Sequence, residues 1–144
     1  MKAGAKLDDS GFKMKVRQLK QLDKMFKQLP SHYANFFKRN MVDWELNYGL
    51  DNEHIGRISH NLADSVGVAD FPYGATVIIN KTGIAPYAGY VNNWTKANYG
   101  DFIIGLAYKR LNKEMMHLVR VEFHRAANNI ESGKSYIYRN PFYS

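Results

Sequence analysis

At 144 residues, with 45% hydrophobic and 14% aromatic side chains, the chain is sized for one domain with a substantial core, which excludes general disorder. It has no cysteine, which excludes disulfides, thiolate metal sites and a cysteine nucleophile. The net charge of +7 sits on residues 1–40, where ten Lys/Arg face three acids, while residues 41–144 hold ten of each sign; an acidic partner is expected for the first quarter of the chain.

Residues 1–11 contain Gly4 and Gly11 and few apolar side chains, and read as a flexible arm. Met1–Lys6 is charged but leads into no apolar h-region, so no secretory signal is expected. The longest clean apolar run, Phe102–Tyr108, is far short of the roughly 20 residues of a membrane span. A soluble protein in a cytoplasm-like compartment, with no membrane partner, is the expectation.

From Phe12 onward Val16, Leu19, Leu22, Phe26 and Leu29 recur at spacings of 3 and 4, predicting an amphipathic helix with that face toward the core. Lys13, Arg17, Lys20, Lys24 and Lys27 follow the same period nearly opposite, as a cationic stripe. Pro30 lacks an amide proton and clashes with the preceding turn, so a stop or kink is expected there. Ser31 then caps a second helix to about Tyr48, with Tyr33, Phe36, Phe37, Met41, Trp44 and Tyr48 as its apolar face and Gly49 as its stop.

Ile58 to about Val91 reads as strands. Ala75–Ile79 is the clearest, β-branched and bounded by Pro72/Gly74 and Asn80–Gly83; Leu62–Val68 is weaker, and Tyr87–Trp94 fits either a strand or a short helix. Ile104, Tyr108, Leu111, Met115, Leu118, Val119, Phe123, Ala126 and Ile130 predict a long helix ended by Ser132–Gly133. The tail alternates like a strand, and Tyr136, Tyr138, Phe142 and Tyr143 make it too aromatic for an inert linker. It either packs back on its own domain or serves as an arm docking on a neighbouring subunit. The expected fold class is α+β: two N-terminal helices, a small antiparallel β-sheet and a long C-terminal helix packed on it. The domain covers residues 12–131, between the arm at 1–11 and the aromatic arm at 132–144.

Catalytic constellations are thin. Glu114-x-x-His117 has the local spacing of a di-iron carboxylate ligand pair, but no second copy accompanies it, and His117 with His124 makes too few ligands for zinc. Ser59, His60 and Asp64 are close in sequence, whereas hydrolytic triads assemble from distant residues on a rigid scaffold. Neither a P-loop nor a G-x-G-x-x-G is present. No catalytic residue, metal or cofactor is expected, and the protein is read as non-enzymatic. The cationic stripe has three readings: a solvated face, contact with DNA phosphates with a log–log salt slope of up to roughly −4, or an anionic membrane surface. The last is disfavoured because the opposite face is expected to be core.

Gly56-Arg57-Ile58, the β-rich stretch after it, Tyr87-Ala88-Gly89-Tyr90-Val91 and the closing helix from Phe102 to Ala107 onward together resemble the tail-completion (head–tail joining) proteins of tailed bacteriophages over roughly residues 30–130. That family has a Gly-Arg-Leu-like turn, a β-meander and a Tyr-Ala-x-Tyr-Val segment. Gly56, Arg57 and Ile58 match the first, and Tyr87, Ala88, Tyr90 and Val91 the last. Gly56 would allow a tight turn, Arg57 could clamp a carboxylate across an interface, and Tyr87 and Tyr90 would bury rings while keeping a polar handle. The chain departs from the pattern at Ile55, where the family has Thr, and at Asn92-Asn93-Trp94-Thr95, where it has Glu-x-Gly-Thr. The resemblance implies a structural virion protein, assembled in the host cytoplasm, that forms a homo-oligomeric ring (a hexamer) in the neck. Its partners would be the head-side connector, the tail-tube or terminator protein, and double-stranded DNA passing transiently through the lumen. The stripe Lys13, Arg17, Lys20, Lys24 and Lys27 would face that DNA or an acidic surface of an adjacent ring. A tail-terminator and a stand-alone nucleic-acid-binding protein are the alternatives.

Overall fold

A computed structural model describes residues 9–47 and 61–143. Most of these residues are helical, with one small antiparallel hairpin and a long C-terminal helix, so the α+β class with helices holds.

The first helix, α1, is one element of 32 residues, Ser10–Met41, rather than two, and begins two residues before its expected start. Pro30 lies inside it without ending it. A proline there costs about 3 kcal/mol through the lost hydrogen bond and the ring clash. Burial on both sides outweighs that cost: Met25 and Leu29 anchor the helix before Pro30, and Ala34, Phe37 and Met41 after it. The five-residue step from Leu29 to Ala34 shifts the buried stripe around the helix at the proline. The chain then widens into a π-helical turn, Val42–Asn47, whose i→i+5 pattern places Met41 and Leu46 together in the core, both 0% exposed. The expected stop at Gly49 lies outside the described residues.

Asn61–Ser65 forms a short helix, α2, followed by strands β1 (Gly67–Phe71) and β2 (Gly74–Ile78). Leu62 is therefore helical, and only the end of the weaker strand candidate pairs. The register runs from Gly67↔Ile78 to Phe71↔Gly74, closing on a two-residue turn, Pro72–Tyr73. Tyr73 takes φ 61°, a left-handed conformation unfavourable for a side-chain-bearing residue. Its hydroxyl donates to Asp23 Oδ1 at 3.0 Å, which ties the hairpin to α1 and offsets the strain.

The β-meander expected up to Val91 stops at this hairpin among the described residues. Ser65 and Asn80 organise the loop that replaces it: Ser65 Oγ accepts from the Asn80 N–H at 3.1 Å, and Asn80 Oδ1 accepts from the Ala85 N–H at 2.9 Å. The ambiguous Tyr87–Trp94 segment is mostly helix α3, Ala88–Tyr99, which ends at Gly100 with φ 86°. Asn92 Oδ1 accepts from the Ile103 N–H at 3.0 Å, binding α3 to the start of α4, Ile103–Glu131.

Helix α4 covers the expected segment, although Tyr108 and Phe123 of the expected repeat are 50% and 40% exposed. Ile103, Ala107, Leu111, Met115, Val119 and Ala126 form the buried stripe. Gly133, at φ 69°, donates to the Ile130 carbonyl at 3.1 Å and Lys134 donates to Asn129 at 2.8 Å, the Schellman pattern expected of Ser132–Gly133. Helices α1 and α4 run antiparallel, marked by the Phe26–Phe123 ring pair at 6.2 Å and the Tyr33–Asn112 hydrogen bond at 3.5 Å. The chain beyond α4 returns along α1 and completes the core.

Candidate functional site

All five residues of the α1 cationic stripe, Lys13, Arg17, Lys20, Lys24 and Lys27, are exposed. Two are partly neutralised one turn away: Lys13 pairs with Asp9 at 3.4 Å and Lys27 with Asp23 at 2.8 Å. Hydrogen bonding to Lys27, with a further one from Tyr73, holds the Asp23 carboxyl below its ordinary range. Arg17, Lys20 and Lys24 have no acid partner among the described residues and carry the stripe's uncompensated charge.

The apolar residues on this helix depart from expectation. Of the expected core face Leu29 is buried, but Leu19 is 64% and Phe26 47% exposed; outside that face Met25 is buried and Phe12 is 71% exposed. Phe12, Leu19 and Phe26 recur every seven residues and form an exposed apolar edge beside the cationic stripe. Their place in the core is taken by Gln18, whose Nε2 donates to the Lys134 carbonyl at 2.7 Å. The reason is the returning tail, which covers the Gln18–Met25 side of α1 and leaves the neighbouring side bare.

That tail is held tightly. Tyr136, Tyr138 and Phe142 are buried in their own chain, and Tyr143 is about half exposed. Tyr136 donates to Glu122 Oε1 at 2.8 Å, and the Arg139 N–H donates to the same oxygen at 3.3 Å. Arg125 grips Glu122 through Nε and Nη2 at 3.0 and 2.5 Å, and its Nη2 also donates to the Ile137 carbonyl. Tyr138 stacks on His32 and bonds its Nδ1 at 2.7 Å, while the Tyr138 N–H donates to Gln21 Oε1 at 3.0 Å. Phe142 packs between Tyr33 and Phe36, and Arg39 lies over the Tyr143 ring.

Burial opposes ionisation of Glu122, yet the donors Arg125, Tyr136 and the Arg139 N–H outweigh it and hold the carboxyl below its ordinary pKa. Burial, reinforced by Glu122, pushes the Tyr138 hydroxyl up to about 12. Glu45 is the opposite case. It is 2% exposed in the π-helical turn, and burial raises it to about 7 against the pull of Arg110, whose Nε lies 3.5 Å from Oε1. Its Oε2 has no hydrogen-bond partner among the described residues.

The family-like motif is divided. Gly56, Arg57 and Ile58 lie outside the described residues. Tyr87, Ala88, Tyr90 and Val91 fall at the start of α3, where Ala88 is buried, Tyr87 and Val91 are half-buried and Tyr90 is 75% exposed. Between α1, β2 and α4 an apolar cavity of about 560 Å³ opens beside Tyr33, Phe37, Val77 and Val119. Of the suspected chemical groups, Glu114, His117 and His124 are exposed on α4 and Asp64 is exposed on α2, while Ser59 and His60 are outside the described residues. No group of three His, Asp or Glu that could hold a metal occurs among the described residues, and none of the described helices is long and apolar enough to cross a membrane.

Sequence reasoning passed over Glu122, Arg125 and Glu45. Glu122 carries a detectable signal, since it interrupts the buried stripe of α4 between Val119 and Ala126. Comparison with protein-family models, with curated proteins and with solved structures returns no match.

Proposed function

We propose that this protein is a non-enzymatic virion component of a tailed phage, forming a homo-oligomeric ring, a hexamer, in the neck between the head-side connector and the tail-tube or terminator protein. The observation that carries the reading is the spread of large exposed apolar side chains over separate elements: Phe12 and Leu19 on α1, Phe71 and Tyr73 on the hairpin, Tyr90 on α3 and Tyr143 on the tail. Exposed aromatic surface marks partner contacts, and a subunit in a layered ring meets neighbours on several sides. The α3 segment bearing Tyr87, Ala88, Tyr90 and Val91 is the one that resembles the tail-completion family, and its most exposed ring, Tyr90, is available to a neighbour. The α1 stripe, with apolar Phe12, Leu19 and Phe26 beside it, suits an acidic protein surface with an apolar centre, as an adjacent neck layer would offer.

The test is electron microscopy of the purified full chain with and without Tyr90→Ser and Leu19→Ser. Rings that disappear in either variant are the expected result; a monomer at every accessible concentration, alone and with the connector, contradicts the proposal.

A further inference from the structure

Along the second half of α1 the buried positions Ala34, Phe37 and Met41 stand 3 and 4 apart, and the next position of that series is Trp44. An α-helical continuation would turn Trp44 to the core. The structure does the opposite. In Val42–Asn47 the wider i→i+5 turn rotates the chain, so that Glu45 and Leu46 are buried, 2% and 0% exposed, while Trp44 is 61% exposed. A tryptophan in solvent and a carboxylate in the core reverse the ordinary preferences of both residues. Such a conflict between local pattern and fold typically marks a functional position.

One residue of α4 holds the turn in this register. Arg110 Nη2 donates to the Asn40 carbonyl at 3.3 Å, its Nε lies 3.5 Å from Glu45 Oε1, and its guanidinium covers the Trp44 ring, 5.5 Å from the centroid. Glu45 Oε2 has no hydrogen-bond partner among the described residues, so a charge on this carboxylate is only half satisfied. Among the described residues Arg110 is the one charged group acting on it. The other charges on the elements packed against the turn lie elsewhere. Lys38 and Arg39 of α1 and Asp64 of α2 line, with Asp43, a separate cavity of about 450 Å³ in which Glu45 takes no part, and Glu114 is exposed one turn beyond Arg110.

We propose that Val42–Asn47 is a two-register switch set by the proton on Glu45. With the proton, the turn stays π-helical and presents Trp44. Without it, the turn winds into α-helix, which carries Glu45 toward solvent and Trp44 onto the Phe37–Met41 face. Apolar burial is exchanged rather than lost, Leu46 for Trp44, so the charge decides between the registers. Burial raises the carboxyl to about 7 in the π register, whereas solvent returns it to its ordinary 4.5. The π register is therefore favoured below pH 4.5 and loses that advantage, by up to roughly 300-fold, as pH climbs past 7. Tryptophan and arginine are among the commonest anchors of protein contacts, so the proton decides whether this end of α1 offers one. The switch is a property of the single chain and does not depend on the neck reading.

The experiment is tryptophan fluorescence of the full chain carrying Trp94→Phe, which leaves Trp44 as the sole tryptophan, followed from acid to mildly alkaline pH with acrylamide as a neutral quencher. One transition with a midpoint between pH 4.5 and about 7 is expected. Through it emission shifts to the blue and quenching falls as pH rises, and far-UV circular dichroism shows no loss of helix. Glu45→Gln, the uncharged isostere of the protonated side chain, is expected to keep Trp44 exposed and quenchable across the range. The indole N–H signals of the unsubstituted, isotope-labelled chain follow the same titration and need no variant. The proposal is overturned if Trp44 is equally quenched throughout or if Glu45→Gln shows the same transition. It is also overturned if Trp44 becomes more exposed with loss of helix as pH rises, which is fraying rather than rewinding.

Discussion

Two buried glutamates are held in opposite ways, and that difference is measurable. Glu122 is ionised inside a ring of donors, so its folded pKa lies below the unfolded value of about 4.5. It therefore stabilises the fold above that pH and loses the contribution as pH falls through its folded pKa. Glu122→Gln is expected to cost about 3 kcal/mol in urea unfolding at pH 7, because Arg125 is left beside an uncharged partner, with the difference shrinking under acid conditions. Glu45 has the reverse sign. Raised from 4.5 to about 7, its carboxyl favours the fold below pH 4.5 and penalises it as pH climbs past 7. Glu45→Gln is expected to gain up to about 3 kcal/mol at pH 8 and nothing at pH 4. A loss of stability at pH 8 would show that the ionised carboxylate is fully paired after all.

Among the elements, α1 and the tail depend on each other. Since α1 already runs through Pro30, Pro30→Ala restores a hydrogen bond without reshaping the helix and is expected to raise stability by about 1–3 kcal/mol in urea titration. A drop would mean that the proline ring itself fills space beside Tyr33 and Phe37. Phe142→Ala, which empties the slot between Tyr33 and Phe36, is expected to cost about 3–5 kcal/mol by the same measurement. The long α4 helix was legible in the sequence because apolar residues recur at helical spacing from Ile104 to Ile130 and Gly133 supplies the left-handed stop. The break at Pro30 was misread because a local rule ignores what lies on either side: Leu29 and Ala34 are both buried. The exposure of Leu19 and Phe26 was not legible, since periodicity identifies a shared face but not what covers it. Here the covering segment lies more than a hundred residues away, where Lys134 and Tyr138 bond Gln18 and Gln21.

Across the whole molecule, cations and exposed apolar side chains lie side by side on more than one face. Residue counts place all the excess charge on residues 1–40, and the two buried glutamates are each paired with an arginine of α4, Glu45 with Arg110 and Glu122 with Arg125. The α1 face combines cations with exposed Phe12, Leu19 and Phe26, and beside the cations of α4 the exposed Trp44 ring lies against Arg110. The proposed role is to join heads to tails. Electron microscopy of particles from a lysate in which this gene alone is disrupted tests it most directly. DNA-filled heads beside unattached tails are the predicted result, and normal infectious particles, or tails of uncontrolled length, would contradict it.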